Sequence, residues 1–287
     1  MKGYKHVFRR VEQKYILSEF QYRALIKELL KTASVDAYGR TTILNLYYDT
    51  PDFRLIRASI EGGIYKEKFR LRSYGIPDSR TDTFLEIKKK YDGVVYKRRM
   101  DLPYTEALRF LCSQKDRQQG LNQEKSLPET PEKFMSQDSG TLFTPKTAPP
   151  VKPQIQKEIE YFFEQYPRLS PAMVIAYERV ALTGRTDPEF RVTFDTGIRW
   201  RTEDMDLSMG DAGLELLEPG QHLMELKISG AINRELSVLL SRLGIFRTGF
   251  SKYGRAYLAY LETQNNHIPL AGGNLWTFSE PLYLHQA

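Results

Sequence analysis

A single cysteine, Cys112, in 287 residues excludes an intrachain disulfide and any cysteine-cluster metal site, and it fits a reducing, cytoplasmic setting. Histidine is nearly as scarce: there are four, and His6 and His222 lack the spacing or partners of a ligand pair, so no histidine-based site is built. No apolar run approaches bilayer-spanning length. The basic stretch Met1 to Arg10 leads straight into Val11-Glu12-Gln13-Lys14 without the apolar centre of a signal peptide. The expectation is a protein with no integral membrane segment, not exported by that route. Gly62-Gly63 and Gly272-Gly273 lack the context of a phosphate loop and read as turns. Walker, Rossmann, kinase and serine-hydrolase motifs are missing.

What the chain does have is charge in a particular pattern. Forty-two Lys and Arg against 36 Asp and Glu give a net charge of +6, which suits an anionic ligand without naming one. Glu12/Lys14, Arg70/Arg72, Glu86/Lys88 and Glu225/Lys227 are charged pairs two residues apart inside strand-like stretches, so each pair occupies one face of its strand. In Phe69-Arg70-Leu71-Arg72, Phe84-Leu85-Glu86-Ile87-Lys88 and Met224-Glu225-Leu226-Lys227 the opposite face is apolar and packs on another layer. One such pair alone reads as a wet strand face. Four of them suggest a concave sheet lined with cations and a few carboxylates, a lining that binds a polyanion.

The rest of the chain supports a curved antiparallel sheet. Ser18 and Gln21 form a capping-box pattern before a helix through about Lys31. From Thr41 to Leu102 short β-rich runs alternate with turn signals at Asp49-Thr50-Pro51-Asp52, Glu61-Gly62-Gly63, Tyr74-Gly75-Ile76-Pro77 and Tyr91-Asp92-Gly93. A short helix with Leu108 and Leu111 follows; Cys112 beside them reads as a small buried hydrophobe. The polar segment 113–153 reads as a mobile insertion. Helical spacing returns at Ile155, a second β block runs from Met173 to Lys227, a helix ends at Gly244, and another starts near Ser251. The expected fold class is α+β: a closed antiparallel barrel with helices outside, residues 1–262 as one domain and 263–287 as a partly irregular tail.

If the sheet closes, Arg70, Arg72, Lys88, Lys90, Arg98, Arg179, Arg191, Arg199 and Lys252 converge. Arg offers a planar fork to phosphate and Lys a compact cation. Glu12, Glu86 and Glu225 repel phosphate directly but suit a bridging Mg2+ or Mn2+, since hard divalent cations take oxygen ligands. Lys88-Lys89-Lys90 also fits a solvated edge that blocks aggregation, and Tyr15 and Tyr177 fit core or rim positions.

Phe8 to Tyr15, Leu46-Tyr47-Tyr48-Asp49, Phe69 to Gly75, Leu85 to Lys88, Tyr177-Glu178-Arg179, Arg191 to Asp195, Met224 to Lys227 and Phe250-Ser251-Lys252-Tyr253 together resemble the VTC domain family. These are the polyphosphate polymerase domains of the vacuolar transporter chaperone complex and their free-standing bacterial relatives, within the triphosphate tunnel metalloenzymes. The resemblance implies a tunnel of about eight strands. It also implies transfer of the terminal phosphate of ATP to a phosphate chain, with Mn2+ or Mg2+ assisting and ADP released. By position, Lys14, Arg70, Arg72, Lys88, Arg179, Arg191 and Lys252 match the family's basic phosphate-binding residues, and Lys97 or Arg98 a further one. Glu225 matches the metal-binding carboxylate, with Tyr177 beside a tunnel arginine and Ser251 beside Lys252.

Two departures stand out. Gly249 occupies the place of a second lysine, with Arg247 as a candidate substitute, and the first strand carries Glu-x-Lys where hydrolytic tunnel enzymes have Glu-x-Glu-x-Lys. The second departure favours the VTC branch. The eukaryotic regulatory and membrane domains are also missing, so synthesis coupled to translocation is not expected. A tripolyphosphatase or nucleoside triphosphatase on the same fold, and a non-catalytic sensor of polyphosphate or inositol phosphates, stay open as alternatives. Nucleic acid is not expected as a partner, because no stacking aromatics are interleaved with the basic residues in a known module.

Overall fold

The computed structural model describes residues 10–124 and 153–266. Strand β1 (Arg10–Leu17) leads into α1 (Glu19–Leu29), where Ser18 Oγ accepts from the Gln21 amide and Gln21 Oε1 accepts from the Ser18 amide. This is the reciprocal box read from the sequence. Strand β2 (Ala33–Asp49) starts earlier than the expected Thr41. It ends on a helix that sequence periodicity does not reveal, α2 (Arg54–Ile60), which at seven residues is too short to show a stripe. The Asp49 carboxylate starts α2 by accepting the amides of Thr50, Leu55 and Ile56, so the expected turn is also a helix cap.

Three strands follow, β3 (Tyr65–Tyr74), β4 (Asp82–Tyr91) and β5 (Val94–Pro103), and then α3 (Tyr104–Glu124) and α4 (Pro153–Gln165). Helix α3 runs well past Ser113, so the first part of the expected insertion is helical; residues 125–152 lie outside the described ones. Cys112 is exposed, because the buried stripe of α3 passes through Ala107 and Leu111. The second block is β6 (Ser170–Gly184), β7 (Arg191–Arg201), a 3-10 turn (Leu207–Met209), β8 (Leu214–Glu215) and β9 (His222–Ser229). Helix α5 (Arg234–Arg242), β10 (Arg247–Thr248) and α6 (Lys252–Asn266) complete it, and the expected tail beyond 266 lies outside the described residues.

The ten strands form one antiparallel sheet in the order β10-β1-β9-β7-β6-β2-β3-β4-β5, with β8 on β7. The expected closed barrel of about eight strands is not made by backbone hydrogen bonds. Among the described residues β10 and β5 are the two ends of the sheet, and two-residue β10 is too short to bridge to β5. The sheet nevertheless curls, since Lys14 on β1 and Lys68 on β3 reach adjacent residues, the Phe250 carbonyl at 2.9 Å and Ser251 Oγ at 3.0 Å.

Three apolar clusters hold this shape. Leu44, Leu46, Phe69, Leu71, Leu85 and Ile87 on the convex face pack on Ile159, Phe162 and Phe163 of α4 and Ala107 and Leu111 of α3. Tyr15, Leu17, Phe194, Met224 and Leu226 pack on α1 and α5 through Leu25, Leu29, Leu236 and Leu240. Phe69 is fully buried, so truncation to Ala would cost about 3–5 kcal/mol. The third cluster corrects the expectation that all helices lie outside. Ile43, Tyr47, Ile175, Tyr177, Ile198 and Trp200 share the concave side with the charges, and Ile56 of α2 and Tyr253, Ala256 and Tyr257 of α6 cover them. Part of the concave face is apolar and needs a lid, and α6 supplies it. Tyr253 fastens that lid by donating to Asp49 Oδ2 at 2.9 Å.

Candidate functional site

Antiparallel register decides which charges share the concave face. Lys14 lies opposite Glu225, Glu225 opposite Thr193, Arg179 opposite Asp195, Asn45 opposite Arg72, Arg70 opposite Glu86 and Lys88 opposite Lys97. Eight strands thus place charged or polar groups on one side, and α6 adds Lys252 at its first turn.

One group of charges is centred on two carboxylates. Asp195 is fully buried and accepts from Arg179 Nε at 2.5 Å on Oδ1 and from Nη2 at 2.7 Å on Oδ2, and Lys252 Nζ lies 2.5 Å from that same Oδ2. Glu225 accepts from Lys252 at 3.1 Å and Arg179 at 3.4 Å, with Lys14 3.8 Å away. Burial pushes the Glu225 carboxyl up, but Lys252, Arg179 and Lys14 overcome it and hold the group well below the usual carboxylate range. The same pairing raises Lys252 and Arg179 against their own burial. Beneath them lies the Tyr177 ring, with Lys252 Nζ 4.6 Å and the Arg179 guanidinium 5.2 Å from its centroid. Tyr177 is buried, in agreement with a core aromatic. The buried Thr193 hydroxyl, in register with Glu225, has no hydrogen-bond partner among the described residues.

A second group is centred on Glu86. One carboxylate oxygen accepts from Arg70 Nε at 2.8 Å and Nη2 at 2.7 Å, while Lys97 lies 2.6 Å from the other; Arg72 and Arg99 stand at 3.7 and 3.9 Å. Burial raises the Glu86 carboxyl, but Arg70, Arg72 and Lys97 bring it down to about 2. Glu86 is therefore an ion-pair hub. Both Arg70 bonds fall on Oε2, while the buried Oε1, 2.6 Å from Lys97, has no hydrogen bond of good geometry among the described residues. Glu12 and Glu225 are ion-paired as well, Glu12 with Lys14 and Lys227 and Glu225 with Lys252, Arg179 and Lys14; burial and the Glu225 charge work against Glu12 ionisation, which Lys88, Lys14 and Lys227 then secure. Among the described residues no three His, Cys, Asp or Glu side chains form a metal cluster; Glu12 and Glu225 share Lys14, at 3.4 and 3.8 Å.

Among the described residues the third region has no carboxylate within ion-pair distance of its lysines. Lys66 faces Lys90 and Lys68 faces Lys88 across β3 and β4. Lys66 donates to the Ser59 carbonyl and Lys68 to Ser251 Oγ at 3.0 Å; Lys88 and Lys90 are exposed. Burial together with Lys88, Lys14 and Arg70 brings the Lys68 ammonium down to about 8 against the opposing pull of Tyr47. Burial would raise the Tyr47 phenol, yet Arg70, Lys68 and Arg72 bring it down to about 8 as well.

Of the residues expected from sequence, Lys14, Arg70, Arg72, Lys88, Lys90, Lys97, Arg179, Lys252, Ser251, Glu12, Glu86 and Glu225 meet on or around this face. Arg191 is on the same face at its rim, half-exposed and paired with Asp36 at 3.4 Å. Arg98 and Arg199 are not there. Arg98 lies opposite Ile87 on the convex face and pairs with Glu158 of α4 at 3.0 Å. Arg199 binds Glu178 and Asp211 at 2.6 and 2.7 Å, because one extra residue in β7 opposite Ala176 and Glu178 reverses the alternation after Asp195. Gly197, at φ +52°, takes the left-handed turn of that bulge. Arg247 does not stand in for the lysine missing at Gly249: it registers with outward-facing Tyr15 and is exposed. Sequence reading passed over Lys66, Lys68, Asp195, Tyr47 and Arg99. The alternation Lys66, Lys68, Arg70, Arg72 carried the signal for the first two.

No curated protein matches the chain. Among solved structures, a candidate adenylate cyclase of Vibrio parahaemolyticus aligns with a TM-score of 0.42 at 12% identity, covering 86% of this chain and 97% of that one. A chain of the Schizosaccharomyces pombe Mediator head module aligns with a TM-score of 0.35 at 9% identity, covering 90% and 94%. The model of the VTC domain matches residues 9–261, a span that includes every strand of the sheet and the cations and carboxylates just described, and the chain belongs to the VTC domain family.

Proposed function

We propose that this protein is a metal-dependent polyphosphate polymerase, which transfers the γ-phosphate of ATP to a phosphate chain and releases ADP. The observation that supports it best is the concave face itself. Cations from β1, β3, β4, β5, β6, β9 and α6 line one surface of a VTC-family chain, too many for its carboxylates to balance. Membership of the family supports phosphate chemistry over other anions. In this reading the tunnel closes around the substrate by side chains, since the sheet curls without a continuous backbone ladder.

Arg70 and Arg72 offer forks to the phosphates of the donor, and Lys14, Arg179 and Lys252 neutralise charge at the transferred group. Glu12 and Glu225 suit the protein share of the Mn2+ or Mg2+ site, where the ion, when bound, neutralises phosphate oxygens. Glu86 keeps the Arg70 fork at a fixed angle. Positioning and charge do the work, with no protein nucleophile required. Incubation with ATP and Mn2+ should give ADP and a polymer that exopolyphosphatase degrades; ADP with only orthophosphate would sink the polymerase reading in favour of hydrolysis. Glu225→Ala and Arg70→Ala should each lower turnover at least a hundredfold with the fold retained by circular dichroism. Wild-type turnover in both would move the site elsewhere.

A further inference from the structure

Most partly buried cations on the concave face have an acid. Lys14, Arg70, Arg72, Lys97, Arg99, Arg179, Lys227 and Lys252 each lie within 4.0 Å of a carboxylate oxygen. Lys68 does not. Its ammonium reaches past Arg70 toward the start of α6, and its one hydrogen bond among the described residues is to Ser251 Oγ, a neutral acceptor at 3.0 Å. That hydroxyl is already used, because it accepts the Gly254 amide at 3.1 Å and caps α6. Directly across the ladder stands Lys88, another cation with no carboxylate within ion-pair distance among the described residues, although Glu12 lies in its field, and Lys14 and Arg70 add their fields.

Like charges opposite each other on a sheet face are destabilising, and an ammonium withdrawn from water without a counter-ion costs more than one that is paired. No packing purpose explains the arrangement, since a methionine would fill the same space without the charge. An anion would relieve it. We propose that Lys68 is a phosphate-binding residue, which with Lys88 holds one phosphoryl group of the bound anion in front of α6. The assignment rests on the reading of the concave face as a polyphosphate site. It places there an ammonium that an entering phosphate can engage without displacing a carboxylate.

The test uses the full chain, inorganic tripolyphosphate as the probe and two variants, Lys68→Met and Lys68→Arg. Calorimetric titration should show Lys68→Met binding tripolyphosphate roughly ten- to a hundredfold more weakly than wild type, the range of a lost charge-assisted hydrogen bond, with Lys68→Arg within a few-fold. Without anion, the melting temperature of Lys68→Met should equal or exceed that of wild type, because an uncompensated charge has gone. Wild-type affinity in Lys68→Met would overturn the assignment. So would a lower melting temperature or failure to fold, which would make Lys68 a structural support. The polymerase reading fails separately. It falls if wild type binds no tripolyphosphate or makes no polymer, whereas the Lys68 assignment falls on the difference between variants alone.

Discussion

The two ends of the charged face are built on opposite principles. Around Asp195 and Glu225, and again around Glu86, cations and carboxylates neutralise each other over 2.5 to 3.9 Å. Along Lys66, Lys68, Lys88 and Lys90, cations face only cations, with no acid within ion-pair distance among the described residues. The paired regions are stable when empty, and an entering phosphate must compete with the carboxylates already there. The lysine ladder is costly when empty and gains from any anion. A binding surface therefore needs both: the first fixes the Arg forks in place, and the second supplies affinity.

The largest effect should come from breaking a paired region. Glu86 is 2% exposed and faces four cations. Glu86→Ala leaves Arg70 and Arg72 partly buried without their acid, while Lys97 and Arg99 are open to water, and should cost about 3 kcal/mol, read from urea denaturation. A loss below about 1 kcal/mol would mean that the group is not structural, and the contrast with the ladder would fail. Acid should do the same more gradually. Because the folded Glu86 carboxyl titrates at about 2 and the unfolded one near 4.5, its stabilising contribution is complete above about pH 4.5 and lost as pH falls toward 2. Glu225 adds in the same direction. Thermal melts between pH 6 and 2 should fall steeply in wild type and less in Glu86→Gln.

The ladder should respond with the opposite sign at the other end of the scale. Lys68 titrates at about 8 when folded and about 10.5 when unfolded, so the folded state carries its cost below pH 8 and sheds it as pH rises from about 8 to 10.5. Tyr47, Lys88, Lys14 and Arg70 are the charged or titratable groups acting on it. Unliganded stability should therefore gain a small positive contribution across that window while tripolyphosphate affinity falls several-fold. Lys68→Arg, which keeps its charge, should leave in both curves only the share of Tyr47, whose phenol is also brought down to about 8. An affinity that is constant from pH 7 to 9.5 in wild type would remove Lys68 from the contact.

How far the sequence carries this contrast follows from what a strand's alternation can and cannot encode. Within one strand it assigns faces correctly: Arg70 with Arg72, Glu86 with Lys88, and Glu225 with Lys227 all lie on the concave side. Pairing between strands is a different matter. That Asp195 sits under Arg179 and Lys252, or that Lys68 meets Lys88 and not an acid, depends on registers joining residues far apart in the chain. Local irregularity defeats alternation as well, since the bulge at Gly197 turns Arg199 outward although Asp195, four residues earlier, points in. Helix α2 is too short for periodicity, and the lid role of α6 follows from the apolar patch of Ile43, Ile175 and Trp200, assembled from three strands.

The smallest effect tests the face assignment itself, on two neighbours. Lys97 and Arg98 adjoin in β5, and sequence alone leaves either as the phosphate-facing one. Register separates them: Lys97 lies opposite Lys88 and reaches Glu86, whereas Arg98 lies opposite Ile87 and reaches Glu158 on the far side. Arg98→Met removes a half-exposed ion pair, which is worth about 0.2–1 kcal/mol of stability, and should leave tripolyphosphate affinity unchanged by calorimetry. Lys97→Met should weaken binding several-fold, because it removes a cation from the face and lets Glu86 repel the anion more strongly. Were Arg98→Met the variant that lost affinity, β5 would be displaced by one residue, every side chain on it would change face, and Arg99 and Lys97 would leave the site together.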